Sequence, residues 1–151
     1  MLKHGVITMK HKLCIAVAVY LFTTRYNTSM KTYMDYRAIT DRESVQYMVQ
    51  QECYTDDDGL RRYKEGDEYV VAVGSPIADV GDYITVELDT GEILDCIVGD
   101  SKGDRWWHKC SKGHNVVEFI VDVDTLDKEA KNAGDVSCIV GTGNVKKIER
   151  T

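Results

Sequence analysis

Proline is nearly absent from this chain of 151 residues: Pro76 stands alone, and there is no low-complexity stretch or internal repeat. None of the five cysteines (Cys14, Cys53, Cys96, Cys110 and Cys138) forms a C-x-x-C pair, and their number is odd. A disulfide framework is therefore not indicated, and buried free thiols in strands are the simpler reading, with one or two bridges open if the chain is exported. Positive charge is in deficit, with a net charge of -6. That argues against non-specific nucleic-acid binding, which needs a basic surface to displace counterions. The phosphate-binding Walker loop, the dinucleotide fingerprint and H-E-x-x-H are all missing, so no cofactor is expected. The longest apolar run, residues 13–22, is too short for a confident membrane span.

What is present suits one domain with an N-terminal extension. Hydrophobic residues make up 43% of the chain, enough for a core. Lys10, His11 and Lys12 precede the apolar run, as in the n- and h-regions of a secretory signal, although no small-x-small cleavage site follows. Residues 1–34 are thus expected to be a signal- or anchor-like segment plus a polar linker over 23–34. Residues 10–22 would serve as a membrane tether if retained, and the domain proper would occupy 35–151.

Along that domain the pattern is strand-like. Val45, Tyr47 and Val49 alternate with Gln46, Met48 and Gln50, which predicts a half-buried strand. Asp58-Gly59 marks a tight hairpin turn. The acid cluster Asp56-Asp57-Asp58 lacks the spacing of a calcium loop, so no metal is expected there. Residues 69–73 read as a strand buried on both faces, 83–88 and 93–98 as a hairpin, and 116–121 as another strand. Asp124 is a plausible N-cap for one short helix ending near Gly134, and residues 136–140 and 145–148 read as closing strands. Periodicity alone leads to a compact, mainly β domain.

Two carboxylates stand out. Cys96-Ile97-Val98 runs into Gly99-Asp100-Ser101-Lys102-Gly103, which reads as a glycine-flanked turn, and Glu118 interrupts the apolar segment Val116 to Val121. A carboxylate among Val, Phe and Ile is costly unless it is paired, hydrogen-bonded or protonated.

Four motifs, Val71-Ala72-Val73-Gly74-Ser75, Val80-Gly81-Asp82, Gly99-Asp100-Ser101-Lys102-Gly103 and Val117-Glu118-Phe119-Ile120-Val121-Asp122, resemble in order and spacing the 3D-domain family. This is the double-psi β-barrel module of cell-wall-active proteins, similar to the catalytic barrel of membrane-bound lytic transglycosylase A. The closest likeness is to a divergent clostridial and phage branch. The resemblance spans about residues 35–140. It implies a six-stranded double-psi barrel with one short helix, a groove for a glycan strand and an exported or phage-associated protein. Of the family's three aspartates the second falls on Asp100. The third falls on Glu118, one methylene longer, and the first falls on Gly74, so that carboxylate is missing.

The activity so implied is cleavage of peptidoglycan in the manner of a lytic transglycosylase. There the 6-hydroxyl of the substrate replaces water as nucleophile and one carboxyl acts as general acid and base. Asp100 and Glu118 are the candidate catalytic pair. Lys102, Trp106, Trp107 and His114 are candidate glycan contacts, the indoles because aromatic rings bind amphipathic ligands. The alternative is a non-catalytic glycan-binding or structural barrel of a bacterial or phage assembly. His108, Cys110 and His114, with Cys96, fit no zinc-finger spacing, and Cys110 with a nearby histidine lacks a third orienting group.

Overall fold

The computed structural model describes residues 24–28, 31–103 and 116–151. Nine strands lie in one mixed sheet: β1 (Thr24–Thr28), β2 (Lys31–Asp35), β3 (Cys53–Thr55), β4 (Arg61–Tyr63), β5 (Tyr69–Gly74), β6 (Tyr83–Leu88), β7 (Ile93–Lys102), β8 (Val117–Val121) and β9 (Val145–Arg150). The helices are α1 (Val45–Gln51), α2 (Lys128–Ala133) and α3 (Ser137–Val140), with a single 3-10 turn at Tyr36–Ala38. The protein is mainly β, as composition and alternation imply.

The main pairing path runs β2-β8-β5-β7-β6-β9-β1. Within it β2–β8 and β5–β7 are parallel and the other pairs antiparallel. Strands β3 and β4 extend from β5 as a hairpin. No pairing joins β1 to β2 among the described residues, so the sheet is open there. Yet β1 ends at Thr28 and β2 begins at Lys31, so the two ends of the path are neighbours in the chain.

Strand β5 is the centre of this arrangement because it is apolar on both faces. Val70 to Val73 are all essentially buried. Val71 and Val73 join the main core with Phe119, Val98, Ile84, Val86 and Ile148. Val70 points to a second, smaller core with Cys53, Ile97 and Ile120, against which Val49, Tyr36 and Ile39 pack. The long apolar run with no alternation is what a strand covered on both sides requires.

Several expectations are corrected. Residues 45–49 form the helix α1 rather than a strand. Ser44 caps it by accepting from the Tyr47 amide at 3.1 Å, an interaction that contributes about 1 kcal/mol. The alternation misleads because α1 turns Gln46 and Gln50 toward the sheet and leaves Val45 and Met48 exposed, the reverse of an ordinary amphipathic helix. Residues 24–28 and 31–35, expected as linker, are strands. The segment expected as a closing strand over 136–140 is the helix α3, and the N-cap of α2 is Asp127, which accepts from Glu129 and Ala130, rather than Asp124. Gly134 ends α2 as expected, in the left-handed region at φ 67°. The single short helix of the sequence reading is thus one of three among the described residues.

The Asp58-Gly59 hairpin stands as read. Asp56 organises it: its Oδ1 accepts from the Asp58 and Leu60 amides, and its Oδ2 pairs with Arg62 at 3.0 Å. That carboxylate is thereby committed to the turn. Gly59 adopts φ +87°, and a Cβ there would lie 2.3 Å from the Leu126 Cα, a backbone atom that has no room to yield. We therefore expect Gly59→Ala to destabilise the protein by about 2–4 kcal/mol, adding left-handed strain to overpacking. Urea denaturation checks this; a loss below about 0.5 kcal/mol, the size of an ordinary surface change, would contradict it.

Candidate functional site

Strand register brings the two carboxylates of the sequence together. Ala72 of β5 pairs with Asp100 of β7 on one side and with Glu118 of β8 on the other, and Glu118 in turn pairs with Thr32 of β2. Asp100 and Glu118 are therefore each one strand from Ala72, so their backbones lie roughly 10 Å apart across the sheet. Ala72 between them is a small, buried residue.

Asp100 reaches this row through an irregularity. Val71 pairs with Val98 but Ala72 pairs with Asp100, so Gly99 is an extra residue in β7. A Cβ at Gly99 would sit 2.3 Å from Val70 Cγ1 and 3.1 Å from both Gln50 Nε2 and Ile120 Cδ1. Glycine is needed where this bulge presses into the smaller core. The expectation of a turn at Asp100 is corrected accordingly: β7 continues through Lys102, and Asp100 is a strand residue re-aimed by the bulge.

Glu118 is held on two sides. Lys102 Nζ lies 3.3 Å from its Oε2, and the Thr32 hydroxyl donates to its Oε1 at 3.3 Å. The Lys102 side chain is only 7% exposed and that of Glu118 25%, so the pair is shielded from water. Such a pair is tightly coupled: removing one partner leaves a charge in a poorly solvated place. Lys102 itself pairs in register with Gly74.

Asp100 is half-buried, and its Oδ1 accepts from the Ser101 amide at 2.8 Å. Gln46 on α1 faces the same carboxyl and favours its charged form. Burial pushes the carboxyl above its ordinary value of 3.8, the Ser101 bond and Gln46 pull it down, and the nearby charge of Glu118 pushes it up again, for a net rise. Chemically the row presents a carboxyl that keeps its proton to higher pH than a free aspartate, beside a carboxylate neutralised by a lysine.

Trp106, Trp107 and His114, read as glycan contacts, lie outside the described residues, as do His108 and Cys110. The chain leaves the sheet after Lys102 and re-enters it at Val117, on either side of the carboxylate row. Cys96 is fully buried in the main core, which raises its thiol pKa, so it is placed as a core residue. Among the described residues Cys53, Cys96 and Cys138 are free thiols, no three acidic, His or Cys side chains gather as a metal site, and no helix is long and apolar enough to cross a membrane. Sequence reasoning missed Ala72 as the pivot and Gln46 as a partner. Both follow from pairing register and from α1, which no local pattern exposes. No protein-family model, curated protein or solved structure matched the chain.

Because the folded state holds the Asp100 proton more tightly than the unfolded chain, this residue's contribution to stability is complete below pH 3.8. It declines as pH rises through the folded value. Asp100→Asn removes the titration. The stability of wild type minus that of Asp100→Asn should thus fall as pH rises above 3.8 and level off once the folded carboxyl has ionised, measured by urea denaturation at each pH. A difference that stays level or grows with pH would show that burial does not govern this carboxyl.

Proposed function

We propose that this protein acts on the glycan strands of peptidoglycan, cleaving them as a lytic transglycosylase does, with Asp100 as the general acid and base. The observation that carries the reading is the Asp100–Ala72–Glu118 row: two carboxyl groups on one face, flanking a small, buried residue. Asp100 donates its proton to the leaving glycosidic oxygen and then accepts the proton of the sugar's 6-hydroxyl as that oxygen attacks the anomeric carbon. One carboxyl suffices because the nucleophile belongs to the substrate and is already positioned. Glu118, fixed by Lys102, supplies a negative charge that favours both a protonated Asp100 and the positive charge developing at the sugar ring. Trp106, Trp107 and His114 would contact the glycan from the segment between β7 and β8.

A six-stranded double-psi β-barrel is the architecture that accompanies this reading. Six consecutive strands of the path, β2-β8-β5-β7-β6-β9, contain two parallel pairs. The ends of that path are drawn together by Lys31: its Nζ donates at 2.8 Å to the Gly143 carbonyl just before β9, and its own carbonyl accepts from Val136. An exported or membrane-tethered location, in a bacterial or phage context, completes the proposal and rests on residues 10–22.

Two observations favour a second reading. The Ser101 amide occupies Asp100 Oδ1, and Gly74 stands where the family carries its first aspartate. A barrel that binds glycan without cutting it would keep the same row. Digestion of purified peptidoglycan separates the two. Wild type should release 1,6-anhydro products detectable by mass spectrometry, and Asp100→Asn should lower their rate by about 100-fold or more, the usual scale of a lost general acid. If folded wild type is retained on insoluble peptidoglycan but releases no product, the binding module is right. If it neither binds nor cuts, the glycan reading fails altogether.

A further inference from the structure

A second polar locus lies one helical turn further along α1, beyond Gln50. The 3-10 turn, the loop leading to α1, and strands β3 and β4 enclose a cleft of about 500 Å³, within the usual size of small-molecule sites. Its walls include Tyr36, Arg42, Tyr47, Gln50, Cys53 and Arg61. Arg61 is the unusual member. It is 9% exposed, and every hydrogen-bond partner it has is neutral. Nη2 donates to the Gln50 and Cys53 carbonyls at 3.0 and 3.3 Å, Nη1 to Thr55 Oγ1 at 2.9 Å, and Nε to Gln50 Oε1 at 3.4 Å. Its guanidinium also stacks on the Tyr36 ring at 4.5 Å. No carboxylate among the described residues pairs with it, although the chain carries a net charge of -6.

An unpaired buried charge is costly, and neutral acceptors compensate it only in part. One further observation points the same way. Arg42, exposed on the cleft wall, pairs with no acid among the described residues, whereas Arg37 is committed to Asp35, Asp122 and Asp124. Cys53 offers no nucleophile here, since burial raises its thiol to about 11.

We propose that this cleft binds a small ligand through an oxyanion, a carboxylate or phosphate, with the fixed charge of Arg61 beneath it and Arg42 closing over it. Four of the five guanidinium hydrogens of Arg61 are used by the protein itself. Its main contribution is therefore a preorganised positive field rather than a bidentate grip, and Arg42 is the residue free to make direct contact. Tyr36 and Tyr47 flank the remaining volume and suit an apolar or planar body attached to the anion.

The test is an NMR titration of the full chain with sodium phosphate and, separately, sodium acetate, at constant ionic strength set with chloride. The side-chain N–H signals of Arg42, Arg61 and Gln50 are followed. Saturable shifts of the Arg61 and Gln50 signals with either anion, but not with chloride, are expected. Tighter binding of phosphate identifies a phosphorylated ligand, and tighter binding of acetate a carboxylic one. Arg42→Ala, an exposed residue whose loss leaves the core intact, should weaken binding about fivefold, corresponding to about 1 kcal/mol. Arg61→Met should abolish it in protein that still shows native amide dispersion. Shifts that stay linear with both anions, or an affinity that Arg42→Ala leaves unchanged, would overturn the proposal.

Discussion

The structure depends on β5 having both edges and both faces occupied. One edge pairs with β7 throughout; the other is shared between β4 at Tyr69 and β8 at Val71 and Ala72. A buried strand leaves no freedom of register, because slipping by one residue would exchange Val71 and Val73 with Val70 and Ala72 and turn the main core inside out. Every neighbour of β5 inherits that fixed register. The positions of Asp100 and Glu118 are consequences of it, since each is the cross-strand partner of Ala72. The carboxylate row is thus anchored on the strand that is buried on both faces and paired on both edges.

A second constraint acts at the seam between the ends of the sheet. Lys31 is completely buried, and its amine donates to Ser137 Oγ and the Gly143 carbonyl. Desolvation lowers the pKa of this lysine, while the charges of Asp135, Asp89 and Glu92 oppose that. Asp135 also binds the chain directly, accepting from the Lys31 amide with one oxygen and the Ser137 amide with the other, at 2.5 and 2.7 Å. One carboxylate and one ammonium therefore connect the start of β2, the start of α3 and the approach to β9. The sheet is drawn together there by side-chain and main-chain polar contacts instead of a strand ladder. Such a seam demands matched geometry, because a buried lysine without these partners would destabilise the protein.

What could be read in the residues was whatever depends on local chemistry. The doubly buried β5, the β6–β7 hairpin, β8, β9 and the Asp58-Gly59 turn all follow from apolar runs and turn residues, and each is present. Helix α1 was not legible, because its inward positions hold Gln46 and Gln50 and its outward positions hold Val45 and Met48. A polar residue faces inward there only because Asp100 and Arg61 await it, which no window of sequence reveals. Strands β1 and β2 were hidden similarly: Lys31 reads as a linker residue until the Gly143 carbonyl, more than a hundred residues later, accepts its hydrogen bond. The candidate carboxylates were visible as misfits in apolar surroundings. Their relation through Ala72 was not, and the Gly99 bulge explains why a strand looked like a turn. Arg61, in Leu60-Arg61-Arg62-Tyr63, gave one weak signal, the inward phase it shares with Tyr63 on a short strand.

The two polar loci meet on one short helix. Gln46 and Gln50 are four residues apart, hence on the same side of α1. The first faces Asp100, and the second accepts from Arg61 and lies against the Gly99 bulge. A displacement of α1 would therefore alter both contacts at once. Gln46 is one of the two groups that lower the proton affinity of Asp100. An anion that draws Arg61 and Gln50 toward the cleft would thereby change the proton-holding strength of the carboxyl across the helix. Coupling of this kind needs no long pathway: it follows from two glutamines, one helical turn apart, each satisfying a different buried charge or acid.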